Sequence, residues 1–210
     1  MYIPKINEEQ DQERIVDFIH KNSFGILVSA QNDMPVATHI PMALEMGEND
    51  TPILRGHVAR ANPHWQLWQQ PSPALVIFSG AHSYISSSWY EKESVSTWNY
   101  LAVHVYGTIR IVDDETLYES LKKLTNNYEK HQEKPLYFEQ LGENEIRKMM
   151  KAIVGFEITI DRIAAKAKLS QNRNDSDYKN IVTQLNKTDD FQAHEIAHEM
   201  VQRRVLGNGE

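Results

Sequence analysis

The chain has 210 residues, 22 Lys and Arg against 29 Asp and Glu, a formal net charge of −7 and no cysteine. That length can bury a core without staples, and the missing thiols exclude disulfides, thiolate metal sites, iron–sulfur ligation and a cysteine nucleophile. The acidic balance excludes a general attraction to nucleic acid or anionic membrane, so any DNA contact needs a local basic patch.

In chain order, Ile15, Phe18 and Ile19 at helical spacing predict an amphipathic helix over 8–21. Phe24–Ala30, the turn residues Gln31-Asn32-Asp33 and Met34–Leu44 read as a hairpin. A second turn over Glu45–Thr51, with Gly47, Asn49 and Asp50, leads to a strand at Ile53–Ala59. Asn62-Pro63 opens a short helix, with Asn62 as its cap, and Ala74–Gly80 is a fourth strand. Ala81–Ser96 is polar, aromatic and without periodicity, so a loop is expected there. From Leu101 to Ile111 apolar residues hold the odd positions and His104, Tyr106, Thr108 and Arg110 the even ones, a strand with one core face and one wet or liganded face. Asp113–His131 and Glu143–Ile153 read as helices, and Val154 onward as a last strand continuing to Leu169. The tail, Asp175–Val205, reads as two helices joined at Lys187-Thr188-Asp189, with Thr188 as the second cap. Short strands with few helices between them predict a mainly β fold with peripheral helices (α+β), a barrel more than a doubly wound sheet. The expected organisation is a barrel domain over 1–174 and a helical hairpin over 175–210, packed on the barrel or on a dimer. The start lacks a basic-then-apolar secretion signal, and no apolar run approaches the ~18 residues of a membrane span. A cytoplasmic protein without a membrane partner is expected.

His194-Glu-Ile-Ala-His198 matches H-E-x-x-H formally. A third zinc ligand is still needed, and Val201 and Arg204 stand where the extended pattern has glycine and histidine, so an exposed helix face is the preferred reading and no metal residue is assigned. As a helix-turn-helix the tail would present Asp189, Asp190 and Glu195 to phosphates, which repels. Neither a glycine-rich phosphate loop nor a G-x-S-x-G elbow occurs. Any phosphate must therefore be held by side chains, and no catalytic residue is assigned.

Two stretches carry ligand chemistry. Arg55 and His57 share one face of their strand, where they either meet an anion or a polar ring edge or stand solvated. All four Trp lie between His64 and Tyr106. Lys92, Thr97, Trp98, Asn99 and Tyr100 offer planar rings, amide and hydroxyl groups and a positive charge, which suits a phosphorylated planar cofactor and equally an aromatic dimer interface. Lys166, Lys168, Gln171, Asn172 and Arg173 complete the set or form a solvated strand end.

Met1-Tyr-Ile-Pro4, His39-Ile-Pro41, Gly56-His-Val-Ala-Arg-Ala-Asn-Pro63, Ser88-Trp-Tyr90, Thr97-Trp-Asn-Tyr100, Ala102-Val-His-Val-Tyr-Gly107 and Lys168-Leu-Ser-Gln-Asn-Arg173 together resemble the PaiB family, FMN-binding negative transcriptional regulators with the split β-barrel of pyridoxamine-phosphate-oxidase-like flavoproteins. Ser87, Ser96 and Ala165 depart from two prolines and a glycine of that pattern. The resemblance implies an FMN-binding split β-barrel, a homodimer with FMN near the subunit interface, and repression of the protease-synthesis and sporulation type with DNA as a partner. An FMN-dependent oxidoreductase acting on a small molecule is the alternative, with His104 and Tyr106 passing protons. The resemblance further implies Arg55, His57, Lys92 and Thr97 around the phosphate, Trp98, Asn99 and Tyr100 near the ring, and Gln171, Asn172 and Arg173 closing from the last strand.

Overall fold

A computed structural model describes residues 1–31, 34–47 and 50–204. The expected turn at Asn32-Asp33, Asn49 of the second turn, and Val205 at the tail's end lie outside the described residues. Helix α1 is Gln12–Lys21, followed by β1 (Phe24–Gln31), β2 (Met34–Pro41), β3 (Ala43–Met46) and β4 (Pro52–Ala59). A 3-10 helix at Pro63–Trp68 then precedes β5 (Ser72–Ile85) and β6 (Thr97–Ile111). Helices α2 (Asp114–Glu129) and α3 (Glu143–Met150) lead to β7 (Ile153–Lys168), and α4 (Asp175–Leu185) and α5 (Phe191–Arg203) close the chain. Among the described residues, no helix is long and apolar enough to cross a membrane.

The fold is mainly β with peripheral helices, and the described strands form a seven-stranded sheet of order β2-β1-β5-β6-β7-β4-β3. The chain divides into two compact units. One comprises Met1–Phe18, Ser79–Val103 and Ala164–Glu210, and the other Ile19–Phe78 and His104–Ile163.

In the second unit β1 and β2 form the expected hairpin, in register from Phe24 opposite Pro41, through Leu27 opposite Thr38, to Gln31 opposite Met34. β4 runs antiparallel to β7, with Arg55 opposite Glu157 and His57 opposite Gly155. Fully buried Trp68 closes this core, its ring edge-on to Phe156 at 5.1 Å and its Nε1 donating to Ser29 Oγ at 3.1 Å. The cap at Asn62 forms as expected, its side chain accepting from His64 N at 3.0 Å. The strand expected over Met34–Leu44 is interrupted at Met42, which is buried between β2 and β3. Leu117, Phe138, Ile146 and Met150 form a satellite core under α2 and α3. At Gly107 a Cβ would lie 2.1 Å from the Thr159 carbonyl oxygen, so only glycine lets the two backbones approach this closely.

In the first unit the far half of β5, the near half of β6 and the end of β7 bury one face on the tail helices. Tyr178, Ile181 and Leu185 line one stripe of α4, and Ala193, Ile196, Ala197 and Met200 one stripe of α5. They pack with Ile85, Leu101 and Leu169, each such side chain contributing roughly 1.5–3 kcal/mol on full burial. Two expectations are corrected here. The loop over Ala81–Ser96 begins five residues late, because Ser83 and Ile85 are buried while His82 and Tyr84 are exposed, which continues β5 to Ile85. The cap of α5 is Asp190, whose side chain accepts from Gln192 N at 2.9 Å. Thr188 instead donates its hydroxyl to Leu185 O at 2.8 Å, closing the end of α4.

Candidate functional site

The face of the first unit turned away from α4 and α5 collects the ligand chemistry. Alternation along each strand puts His82 and Tyr84 of β5, Trp98 and Tyr100 of β6, and Lys166 and Lys168 of β7 at positions between the buried ones. Trp98 is 53% exposed, with Tyr84 edge-on at 5.9 Å and His82 tilted against it at 6.1 Å. Lys166 sits over the Tyr100 ring at 5.1 Å and donates to the Tyr2 carbonyl at 3.3 Å. Lys168 donates to Thr97 Oγ1. Burial, reinforced by the neighbouring Lys166 ammonium, holds Lys168 below the usual lysine range. Among the described residues neither lysine forms an ion pair, although acidic side chains outnumber basic ones in the chain.

Asn99 is on the opposite face, fully buried, accepting from Ser170 Oγ at 3.0 Å and contacting Met200 Sδ at 3.5 Å. Ser170 has φ 59°, a left-handed backbone that ends β7. Gln171 locks that turn, its Oε1 accepting from Leu169 N at 2.8 Å and its Nε2 donating to Ala167 O at 2.5 Å. Arg173 lies over the Tyr90 ring at 3.9 Å, and the buried Tyr90 hydroxyl has no hydrogen-bond partner among the described residues. Asn172 and Lys92 are exposed. The segment carrying Lys92 is anchored to α4 by Asn180 Nδ2 donating to Trp89 O at 2.6 Å and by Glu91 N donating to Asp177 Oδ1 at 2.9 Å. The structure thus brings Thr97 to Lys168, Asn99 to the Ser170 turn, and Arg173 to Tyr90.

Arg55 and His57 belong to the second unit. Arg55 donates through Nε and Nη2 to Glu157 Oε2 at 3.0 and 2.8 Å, and through Nη1 to Glu45 at 3.4 Å. Arg110 reaches the other Glu157 oxygen at 2.8 Å. Burial alone would raise the Glu157 pKa, but the hydrogen bonds from Arg55 and Arg110 bring it below the ordinary value. Burial lowers the pKa of His57 and of His104. His104 has a buried Nδ1 without a hydrogen-bond partner among the described residues and packs near Tyr106 at 6.3 Å, where Arg162 covers the Tyr106 ring at 3.9 Å.

Sequence reasoning missed the Glu157 cluster and the Ser170 turn. Glu157 is visible in the sequence only as one acid among alternating residues, and nothing in the residue type Ser announces a positive φ. In the tail, His194 Nε2 lies 2.7 Å from Thr188 O. Among the described residues no group of three or more His, Cys, Asp or Glu side chains could hold a metal.

A family described as "Putative FMN-binding domain" matches residues 1–162. The Bacillus subtilis protein named "Protease synthase and sporulation protein PAI 2" is 40% identical over 200 residues, covering 95% of this chain and 96% of that protein. An uncharacterised Saccharomyces cerevisiae protein is 34% identical over 153 residues, 61% of this chain and 90% of its own length. Among solved structures, the FAD and heme binding protein from Mycobacterium smegmatis superposes with a TM-score of 0.62 at 19% identity, covering 82% of this chain and 79% of that one. The flavocytochrome Anf3 from Azotobacter vinelandii gives 0.58 at 14% identity, covering 85% and 78%. The structural likenesses fit the split β-barrel, and the family model that spans residues 1–162 assigns FMN as the cofactor. The chain belongs to the PaiB family of FMN-binding split-barrel proteins.

Proposed function

We propose that this protein is a flavin-containing regulator of the PAI 2 type, a homodimer that represses genes of the protease-synthesis and sporulation kind. The observation that carries the flavin part is the open face of the first unit, where an exposed Trp98 with Tyr84 beside it accompanies two lysines without carboxylate partners among the described residues. A flat aromatic surface and uncompensated cations fit a planar, phosphorylated group. When bound, FMN supplies reversible electron and hydride chemistry. Thr97, Trp98, Tyr100, Lys92 and Arg173 are the residues we assign to holding it, with Asn99, Gln171 and Asn172 shaping the turn behind them. His57 and Arg55 belong to the second unit, where Arg55 is committed to Glu157 and Glu45, and are left out of this assignment. The exposed Trp98 and Tyr84 support a dimer contact on the same face. The regulatory role and its DNA partner rest on the name of the 40% identical relative.

Titration of the purified protein with FMN, followed by flavin fluorescence, tests the cofactor. Saturable quenching is expected, and its absence overturns the reading. Gel shifts with the gene's own upstream DNA at two salt concentrations test direct repression, which fails if that DNA binds no tighter than random DNA. A second reading, an FMN-dependent oxidoreductase, is favoured by His104 near Tyr106, whose buried Nδ1 has no hydrogen-bond partner among the described residues and is able to carry a proton. Turnover of reduced nicotinamide with a panel of acceptors would select it.

A further inference from the structure

We propose that Lys166 and Lys168 together hold the phosphoryl group of the cofactor, with Thr97 and Tyr100 positioning the two ammonium groups. The inference rests on the reading that the chain binds FMN, and it names residues beyond those assigned above. The two lysines are two residues apart on one strand, so their Cα atoms stand roughly 7 Å apart on the same face. That spacing lets two flexible ammonium groups converge on one anion.

The donors around them remain open. Lys168 gives one N–H to Thr97 Oγ1, and Lys166 gives one to the Tyr2 carbonyl. Each ammonium keeps further N–H groups, and the Thr97 hydroxyl, accepting from Lys168, is left to donate. Donors spread in three dimensions suit a tetrahedral dianion better than the planar fork of an arginine does. The Tyr100 and Tyr2 ring centroids lie 5.1 and 6.0 Å from Lys166 Nζ, and their faces attract that ammonium.

The electrostatics ask for an anion. Lys168 is partly desolvated and faces a second cation, which depresses its pKa, and a bound phosphoryl group would reverse that penalty. Arg55, another candidate for this role, already has Glu157 and Glu45 as partners.

The test compares FMN with riboflavin, which lacks the phosphate, on the full-length protein and on Lys166→Met, Lys168→Met and the double variant. Melting temperature serves as the folding control, and Lys168→Arg as the conservative variant. FMN affinity is expected to fall about 10- to 100-fold in the double variant, the range for hydrogen bonds to a charged group. Riboflavin affinity should stay within about twofold, and Lys168→Arg should recover part of the FMN affinity. Unchanged FMN affinity in a folded double variant overturns the proposal, as does an equal loss for riboflavin. If the wild type binds no flavin, the cofactor reading fails. The lysine site then stands or falls on inorganic phosphate, which should raise the melting temperature of the wild type and not of the double variant; no such difference overturns it too.

Discussion

Glu157 holds two arginines at once, one on each oxygen, while 7% of its side chain remains exposed. Arg110 is 56% exposed and Arg55 18%, so Glu157→Gln, which weakens the hydrogen bonds to both, is expected to lower stability by about 2 kcal/mol in urea unfolding. Its depressed pKa gives the sign of its pH effect: the stabilisation is present above the ordinary carboxylate value and is lost as pH falls through the lowered one. Ser170 offers a cleaner comparison. Ser170→Gly and Ser170→Ala both delete the hydroxyl that reaches Asn99, but only glycine accepts φ 59° without cost. Ser170→Gly should therefore be more stable than Ser170→Ala by about 1 kcal/mol, and equal midpoints would remove the strain argument.

At the scale of elements, the second tail helix tests which residue caps it. Asp190→Ala should cost about 1 kcal/mol, whereas Thr188→Ala should cost less because its hydroxyl serves the preceding helix; the reverse order in thermal melts would restore the cap to Thr188. The elements that are legible in the sequence share a clear period. The odd positions of β6 are buried from Asn99 to Ile109, in keeping with the alternation. β5 and β7 are harder, since each changes which parity it buries. In β5 Ala74, Val76 and Phe78 are buried and then Ser83 and Ile85; in β7 Val154, Phe156 and Ile158 and then Ala167. A switch of this kind breaks a period-two pattern, which is why the end of β5 reads as loop. The open face is legible as aromatic and basic composition. That Thr97 meets Lys168 is not, because strand neighbours 71 residues apart leave no local signal.

For the whole molecule, three histidines set the response to acid. Burial lowers the pKa of His57, His64 and His104 from 6.5, and His64 has a buried Nε2 without a partner among the described residues. Below 6.5 the unfolded chain takes up protons that the folded chain does not, so stability present above that value declines as pH falls toward the folded values. The expected loss is at most about 1.4 kcal/mol per pH unit for each ring. Melting temperatures at about pH 7.5, 6.5 and 5.5 should fall in that order, and a flat profile would contradict it.

The compact unit that carries the aromatic and lysine face is assembled from three separate stretches of chain, whereas the family match ends at residue 162. A protein cut there would keep Ile85 and Leu101 but lose Leu169, Tyr178, Ile181 and Ile196, the residues they pack with. Expression of residues 1–162 is accordingly expected to yield insoluble material, and a soluble, cooperatively melting fragment would refute this. The family match thus stops short of a folding unit, and a gene fusion must carry the tail along with it.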